Sequence, residues 1–328
     1  MIQSVKYDLK LRLSCMQHTT ILDSTYWNRR HLYANAGGGT NLCQVFVYSP
    51  WLLHVIRIMK QGISGVVIAY NESERIASCV ERLMRVCDEV IVVDSFSTDN
   101  TIAIAESMGC RVLSHEFKGH IEQKNWAQRQ STFSWILSLD ADEVLSDGLV
   151  AWMLNFRSMA FADSQGLSFS GDGYLAWSFP RLNHLGGRAI RGCGWYPDRK
   201  IRLWRSGMAY WGGNNPHDRI ILGDAEDKSV LGAVGKCEED ILHYTYNSYE
   251  EVKAQALKFA AIGGDALREK REFWGILWIK SLVSPVSRWL KNYWIRGGFL
   301  YGKDGWIICY CQFLETHHKY RKALVKSN

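Results

Sequence analysis

The sequence predicts an α/β fold in which a mostly parallel sheet is covered by helices on both faces. Three apolar runs of strand length, Gly65–Ala69, Glu89–Val93 and Trp135–Leu139, are separated by segments with helical spacing. Strands and helices that alternate in this way form crossover connections between parallel strands. Each run is followed by acidic or amide residues, placed where a buried parallel strand would leave the sheet.

The first predicted strand, Gly65–Ala69, is followed by Tyr70, Asn71 and Glu72. Asn71 is a predicted helix N-cap, because its side-chain oxygen can accept a hydrogen bond from the first helical turn. Apolar residues then recur at helical spacing, at Ile76, Val80, Leu83 and Met84. The pattern predicts a helix after the first strand.

The second strand, Glu89–Val93, ends in Asp94, and either Thr98 or Asp99 is expected to cap the helix that follows. The predicted buried face of that helix contains Ile102, Ala105 and Met108. Gly109 stands where the end of a helix favours a left-handed residue. A third short strand is predicted at Arg111–Ser114.

A helix over Ile121–Gln130 and a fourth strand over Trp135–Leu139 lead to Asp140 and Asp142. Two carboxylates about 4 Å apart repel by roughly 4 kcal/mol at an effective dielectric constant near 20, so a site that keeps both ionised usually holds a cation. Carboxylate oxygens are ligands for Mg²⁺ or Mn²⁺. An Asp-x-Asp triplet is also common in turns and helix caps, so the triplet alone leaves both interpretations open.

The acidic and amide residues that follow the strands are expected to gather at one edge of the sheet, which is the ligand-binding edge of an open parallel sheet. No G-x-x-x-x-G-K-[ST] motif is present, and no G-x-G-x-x-G motif follows a strand. The sequence therefore predicts that a nucleotide is held by carboxylates and through a metal, without a glycine-rich phosphate loop.

The positive charge is concentrated in the C-terminal region. The chain of 328 residues has a net charge of +6; residues 268–328 contain twelve Lys/Arg and four Asp/Glu, a balance of +8, which leaves −2 for the remainder. Basic residues interleaved with Trp favour an anionic membrane surface over nucleic acid. A partly solvated helical subdomain with a basic face is the alternative.

Two further patterns bear on location. The nine cysteines show no zinc-ligand spacing and indicate reduced thiols in a cytosolic compartment. No apolar stretch reaches the length of a transmembrane helix, since 273–287 is interrupted by Lys280 and Pro285. We therefore predict a cytoplasmic protein that binds peripherally to a membrane.

The two ends of the chain differ from its centre. Residues 1–58 are poor in acidic residues and show little periodicity, so we interpret them as a poorly structured or non-essential extension before Met59. Towards the other end, a helix is predicted over Tyr249–Glu272, with Val252, Ala256, Phe259 and Ala260 on its buried face. The region 248–328 is expected to form basic, amphipathic, membrane-associating helices.

Several segments resemble the family 2 glycosyltransferases, which have the GT-A fold. They are VVIAYNESERI at 66–76, VIVVDSFSTDNT at 90–101 and WILSLDADE at 135–143. The later segments GGRAIRGCGWYPDRKIRLWRSG at 186–207 and NNPHDRI at 214–220 are similar to the branch that contains bacterial lipopolysaccharide core glucosyltransferases. The resemblance implies a GT-A catalytic domain over 59–247, with a nucleotide half at 62–145 and an acceptor half at 146–247.

The resemblance also implies roles for residues on the donor side. Tyr70, Asn71 and Glu72 match the first nucleotide-binding turn, Asp94 the carboxylate that reads the uracil edge, and Asp99 a nearby loop acid. Asp140 and Asp142 match the Asp-x-Asp that holds the metal and the ribose-diphosphate. Gln123, Lys124 and Asn125 resemble a cluster specific to the branch, in which Lys124 is expected to face the diphosphate with support from Arg199 or Arg202.

On the acceptor side, the branch commonly has His-Glu where this chain has His217 and Asp218. Asp218 is therefore the candidate general base, although Asp is one methylene shorter than Glu. Glu239 and Asp240 form a rival acidic pair. Four aromatic residues are interpreted equally well as core or as a sugar-stacking surface, namely Trp195, Tyr196, Trp204 and Trp211. Histidines outside these motifs, His243 among them, are interpreted as structural or surface residues.

The function that the resemblance implies is metal-dependent, inverting transfer of a hexose, most simply glucose. The donor would be a UDP-sugar and the acceptor a lipopolysaccharide core or related glycolipid, presented at the inner face of the bacterial cytoplasmic membrane. Two alternatives stay open at this stage. In the first, the acceptor is a polyprenyl phosphate or a protein; in the second, the chain binds nucleotide-sugars without turnover.

Overall fold

The computed structural model describes residues 60–161, 174–215, 217–223, 234–269 and 274–325. The predicted N-terminal extension, 1–58, lies outside the described residues. The first part of the described chain alternates strands and helices as predicted. Its elements are β1 (Lys60–Ala69), α1 (Ile76–Met84), β2 (Glu89–Asp94), α2 (Thr101–Ser107), β3 (Arg111–Ser114), α3 (His120–Gln128) and β4 (Phe133–Asp140).

The next part of the chain adds mostly strands. Its elements are β5 (Glu143–Leu145), α4 (Asp147–Ala160), β6 (Ala176–Leu185), β7 (Arg188–Ala189), β8 (Asp198–Arg205), β9 (Ala209–Asn214), β10 (His217–Leu222), β11 (Val234–Lys236) and β12 (Ile241–Tyr246). The main sheet has the order β3-β2-β1-β4-β8-β6-β12-β5. Strands β1 to β4 pair only in parallel with one another, whereas β8 is antiparallel to both β4 and β6. The sheet is thus mixed and mostly parallel, and β9 and β10 form a separate antiparallel hairpin.

Helices cover both faces of the parallel half of the sheet, as the continuous apolar strands predict. Successive residues of a strand point to opposite faces, and in β1 the neighbours Val66 and Val67 belong to two different core clusters. The Val67 cluster includes residues of α1 and α4, such as Phe156. The Val66 cluster includes Ala127 of α3 and Trp211 of β9.

The start of each of the first two helices differs from the prediction. Helix α1 begins at Ile76 after Arg75, so Asn71 is not its N-cap. Asn71 has a left-handed φ of 54° and takes part in the turn after β1. The N-cap position of α2 is Asn100, without a side-chain capping bond, while Asp99 accepts a hydrogen bond from the Thr101 backbone nitrogen. The predicted left-handed residue at the end of α2 is confirmed, since Gly109 has φ 86°.

The C-terminal region is helical, as predicted. It contains α5 (Tyr249–Glu269), α6 (Trp274–Leu290), a π-helical turn (Lys291–Ile295), a 3₁₀ turn (Gly298–Tyr301) and α7 (Lys303–Leu324). Of the residues expected on the buried face of α5, Val252, Ala256 and Ala260 are buried. In the described part of the chain, no helix is both long and apolar enough to cross a membrane.

Candidate active site

The predicted acidic residues lie at one edge of the sheet. In the parallel pairings of β1, Ala69 is opposite Asp94 of β2, and Ile68 is opposite Asp140 of β4. Tyr70 follows β1 directly and is 59% exposed. Asp94 and Asp140 therefore end their strands side by side, with the turn after β1 between them.

Asp94 holds the loop that follows β2. It is fully buried, and its carboxylate accepts hydrogen bonds from the backbone nitrogen and the hydroxyl of Ser97, at 2.8 and 2.5 Å. The Ser97 hydroxyl in turn accepts from the Asn71 nitrogen at 2.8 Å, and the Asn71 side-chain oxygen accepts from the Thr98 nitrogen at 2.8 Å. These bonds join the turn after β1 to the loop after β2.

Asp99 strengthens the same connection. Its carboxylate accepts from the hydroxyl and the backbone nitrogen of Thr101, and from the Ser73 nitrogen at 3.0 Å. Hydrogen bonds from Thr101 and then Ser73 hold the pKa of Asp99 well below its usual value. Glu72 lies beside it and donates its backbone nitrogen to the Thr101 hydroxyl at 2.8 Å. Burial raises the pKa of the Glu72 carboxyl, and the nearby Asp142 adds to this effect.

Both oxygens of the Asp140 carboxylate face cations. One lies 2.8 Å from the Lys124 ammonium and the other 2.7 Å from the Arg202 guanidinium. Burial alone would raise the pKa of Asp140, but Lys124 and Arg202 outweigh it and hold that pKa well below its usual value. Arg202 is only 3% exposed and also contacts Glu143, whose side chain accepts from the Asp140 nitrogen. Asp140 is therefore an ionised carboxylate held between two cations, which it shares with Asp218 and Glu143.

Lys124 connects Asp140 to the residue predicted as the base. Its ammonium lies 2.8 Å from a carboxylate oxygen of Asp218, and it is 4% exposed. Two oxygens that are each 2.8 Å from one nitrogen cannot be more than 5.6 Å apart (2.8 + 2.8). The structure thus brings Asp218 of β10 to the edge formed by β1, β2 and β4. Lys124, which was predicted to face the diphosphate, has its ammonium buried between these two carboxylates.

The hairpin that carries Asp218 is fixed to helix α3. The Asn125 side chain donates to the Trp211 carbonyl at 2.7 Å and accepts from the Trp211 nitrogen at 2.9 Å. The Lys124 ammonium lies 4.4 Å from the centre of the Trp211 ring. Trp204 and Trp211 are buried in the core beneath the site, so neither offers a surface for stacking on a sugar.

Sequence reasoning missed His243, which faces Asp142. The Nε2 atom of His243 lies 3.1 Å from an Asp142 carboxylate oxygen. Its Nδ1 atom contacts the side-chain oxygens of Asn183 at 2.6 Å and Thr245 at 2.7 Å, which fix the orientation of the ring. The alternation of strand β12 puts His243 and Thr245 on one face, but only the pairing of β12 with β5 shows that this face meets Asp142.

Asp240 of the rival acidic pair has different partners from Asp218. The Asp240 carboxylate contacts the Arg191 guanidinium and accepts from the Tyr196 hydroxyl at 2.9 Å. Arg199, one of the two arginines predicted to support the site, instead pairs with Glu238. Of these candidates, the structure brings Asp218 and Arg202 to Asp140.

Comparisons with known proteins identify the family. The profile described as Glycosyl transferase family 2 matches residues 64–159. An "Uncharacterized glycosyltransferase" of Rickettsia felis is 30% identical over 277 residues, which are 81% of this chain and 92% of that protein. The chain belongs to glycosyltransferase family 2. This family 2 glycosyltransferase is also similar to the "Lipopolysaccharide core biosynthesis glycosyltransferase LpsC" of Rhizobium meliloti, with 26% identity over 76% of this chain and 87% of LpsC.

Two solved structures of bacterial proteins are also similar to this family 2 glycosyltransferase. Glucosyl-3-phosphoglycerate synthase from Mycobacterium tuberculosis, crystallised with Mn²⁺ and UDP-glucose, has a TM-score of 0.39 and 19% identity, covering 61% of this chain and 77% of the synthase. S. aureus TarS 1-349 in complex with UDP has a TM-score of 0.37 and 15% identity, covering 80% of this chain and 90% of that chain. The mixed, mostly parallel sheet with helices on both faces agrees with the GT-A fold expected for family 2.

The acids of this family 2 glycosyltransferase differ in their fit to a divalent cation. Asp140 fits poorly as a direct ligand, because the Lys124 and Arg202 cations beside its two oxygens would repel a divalent cation. Asp142 and His243 fit well, since they present a carboxylate oxygen and an imidazole nitrogen to the same space. Within the described ranges, no group of three or more His, Cys, Asp or Glu side chains can hold a metal. A cation bound here would need oxygens from water and a substrate phosphate, which is usual for Mg²⁺.

Proposed function

We propose that this glycosyltransferase is a metal-dependent, inverting enzyme that transfers a hexose, most simply glucose, from a UDP-sugar to a lipopolysaccharide core or related glycolipid. One observation carries the proposal. Lys124 contacts both Asp140, at the end of β4, and Asp218, on the separate β9–β10 hairpin. A donor-side acid and a candidate base thus lie within reach of a single substrate. The name of the LpsC relative supports the choice of acceptor.

The donor nucleotide is proposed to lie against the turn after β1 and the loop after β2. Asp94 is proposed to accept from the N3–H group of uracil; because it is fully buried and bonded to Ser97, the loop after β2 must shift to admit the base. Tyr70 is exposed at the same edge and offers a ring against which the base can pack. Asn71, Glu72 and Asp99 would shape this pocket through the hydrogen bonds that join the turn to the loop.

The metal, Mg²⁺ or Mn²⁺, is proposed to bind between Asp142 and His243. When bound there, it would neutralise the charge that develops on the departing diphosphate. Asp140, held by Lys124 and Arg202, is proposed to contact the ribose hydroxyls, which are neutral hydrogen-bond donors and need no free charge. In this proposal Asp142 binds the metal and Asp140 binds the ribose, so the two acids have different roles.

Asp218 is proposed to act as the general base. Its carboxylate is held 2.8 Å from the Lys124 ammonium, which also contacts Asp140, so it faces the same edge of the sheet as the donor-side acid. The acceptor hydroxyl would give its proton to Asp218 while its oxygen attacks the anomeric carbon. The bond from that carbon to the diphosphate oxygen then breaks on the opposite side and releases UDP. A single displacement of this kind converts an α-linked donor into a β-linked product.

Replacing His243 with Gln is expected to lower the affinity for Mn²⁺ by at least about tenfold, because changing even an indirect partner of a metal commonly costs 10–100-fold. The measurement is calorimetric titration of Mn²⁺ in the presence of UDP. His317→Gln is the control, since His317 lies on α7 and contacts the Phe313 and His318 rings. An unchanged affinity in the His243 variant would rule out this residue as a ligand.

The proposed reaction is tested by incubating the purified protein with Mn²⁺, a panel of UDP-sugars and a truncated lipopolysaccharide core. We expect release of UDP and a product that is one hexose heavier, with a β-anomeric proton signal. If product forms only with a polyprenyl phosphate or a protein, that molecule is the acceptor and the proposed glycolipid acceptor is wrong. Binding of UDP without release of UDP from any donor and acceptor would indicate a non-catalytic nucleotide-sugar-binding protein and contradict the proposal.

The acceptor is proposed to be presented at the inner face of the cytoplasmic membrane, to which the protein binds peripherally. Helix α6 exposes large apolar side chains to solvent, and contiguous apolar surface of this kind often marks a membrane or protein contact. The exposed residues of this surface are Trp274, Ile276, Trp278, Ile279, Leu282, Val283, Val286 and Leu290. Together with the C-terminal basic charge, they fit an anionic bilayer.

A further inference from the structure

A cavity of about 360 Å³ lies beside the π-helical turn. Polar and cationic side chains line it, although apolar residues dominate the exposed surface of α6 nearby. Its lining includes Ser287, Arg288, Lys291, Asn292, Arg296 and Gln312. None of these residues takes part in the proposed transfer reaction.

The π-helical turn accounts for the shape of the cavity. The Arg296 nitrogen donates to the Lys291 carbonyl at 2.9 Å, a bond across five residues that places the two side chains one turn apart. Asn292, buried between them, donates to the Gln312 side chain at 2.7 Å, and Gln312 donates to the Cys193 carbonyl at 3.0 Å. The floor of the cavity is therefore a fixed chain of amide groups.

The cavity carries a positive charge. Arg288 pairs with Glu315 at 3.0 Å and also donates to the Thr316 hydroxyl. Among the described residues, no carboxylate lies within salt-bridge distance of Lys291 or Arg296, and the Arg296 guanidinium donates a long bond of 3.3 Å to Asn292. Three cations and one carboxylate leave a net charge of about +2, which favours an anion with several acceptor oxygens.

The charged cavity borders the apolar surface. Ser287 and Lys291 lie four and eight residues after Val283, so the three share one helical face. Leu290, Trp294 and Ile295 are exposed beside them, and Ile295 is 81% exposed. Apolar side chains that enter a bilayer would bring Lys291 and Arg296 to the level of the lipid headgroups.

We propose that this cavity binds the phosphate group of an anionic lipid. Arg296 and Lys291 would donate to the phosphate oxygens while the neighbouring apolar residues enter the acyl region. The inference rests on the proposed membrane association and adds to it a defined site for one headgroup. The site would orient the enzyme on the bilayer that presents the acceptor.

The test is sedimentation of the full chain with vesicles of phosphatidylcholine, with and without phosphatidylglycerol. We expect the wild type to bind the phosphatidylglycerol vesicles and Lys291→Gln/Arg296→Gln to bind them about 30-fold more weakly. This factor follows because each basic residue near the membrane surface contributes about 1 kcal/mol to binding. Lys253→Gln/Lys258→Gln removes the same charge from exposed positions of α5 and is the matched control. An equal loss in both double variants, or no loss in the first, would overturn the proposal.

Two further measurements separate the sources of failure. Inorganic phosphate is expected to weaken vesicle binding of the wild type and to leave the residual binding of Lys291→Gln/Arg296→Gln unchanged. Calorimetric binding of phosphate by a wild type that ignores all vesicles would show a site for free phosphate and overturn the lipid assignment. Binding of UDP with Mn²⁺ is expected to be the same in both double variants. This measurement therefore tests the proposed donor site separately from the lipid site.

Discussion

Asp218→Asn is expected to lower kcat by about 10²–10⁴-fold, the usual contribution of a general base. The amide is nearly isosteric with the carboxylate but cannot accept the proton of the acceptor hydroxyl. UDP affinity should stay the same, because Asp218 is proposed to contact the acceptor and not the nucleotide. Initial rates of UDP release and calorimetric titration with UDP are the two measurements.

Asp218→Glu is the matched variant, since it keeps the carboxylate and restores the residue common in the related branch. It should retain far more activity than the Asn variant. Because Lys124 loses a charged partner only in the Asn variant, thermal unfolding of both proteins shows whether the fold is affected. If Asp218→Asn is fully active and Asp240→Asn is inactive, the general base belongs to the rival pair and not to Asp218.

Asp142→Asn is expected to lower kcat by about 10³-fold or more, since it weakens the metal site that offsets the charge of the leaving diphosphate. A factor of 10³ corresponds to about 4 kcal/mol of lost transition-state stabilisation. Steady-state rates should be measured over a range of Mn²⁺ concentrations. High Mn²⁺ is expected to restore part of the activity, because the His243 ligand remains.

Asp147→Asn is the control for Asp142→Asn. Asp147 is an exposed acid on the nearby helix α4, paired with Arg82, and its replacement makes the same change in charge without touching the site. Its kcat should be that of the wild type. A similar loss of activity in both variants would mean that the overall charge of this region matters, and not a metal held by Asp142.

The parallel half of the fold could be predicted from the sequence because β1, β2 and β4 each contain an apolar run that is buried in the sheet. The bounds of β3 were predicted as found, and β2 differs only by including Asp94. The start of α1 was not predicted correctly. The Asn71 side chain accepts a hydrogen bond from the loop after β2, and the helix begins only at Ile76. A local capping rule cannot anticipate a partner 27 residues away.

The candidate active site could also be predicted only in part. Acids at the ends of parallel strands must share an edge, so the positions of Asp94 and Asp140 follow from the strand pattern. The partners of these acids do not follow from it. Arg202 reaches Asp140 because β8 pairs antiparallel with β4, and His243 reaches Asp142 because β12 pairs with β5. Such long-range pairings have no signature in a local pattern.

Calorimetric titration of UDP into the wild-type protein, with Mn²⁺ and with a chelator, tests the central claim most directly. The claim is that carboxylates at the edge formed by β1, β2 and β4 bind a uridine diphosphate with the help of a divalent cation. It predicts tight binding only with the cation, a strong loss in Asp142→Asn and none in Asp147→Asn. Equal UDP affinity with and without the cation, in wild type and Asp142→Asn alike, would contradict it.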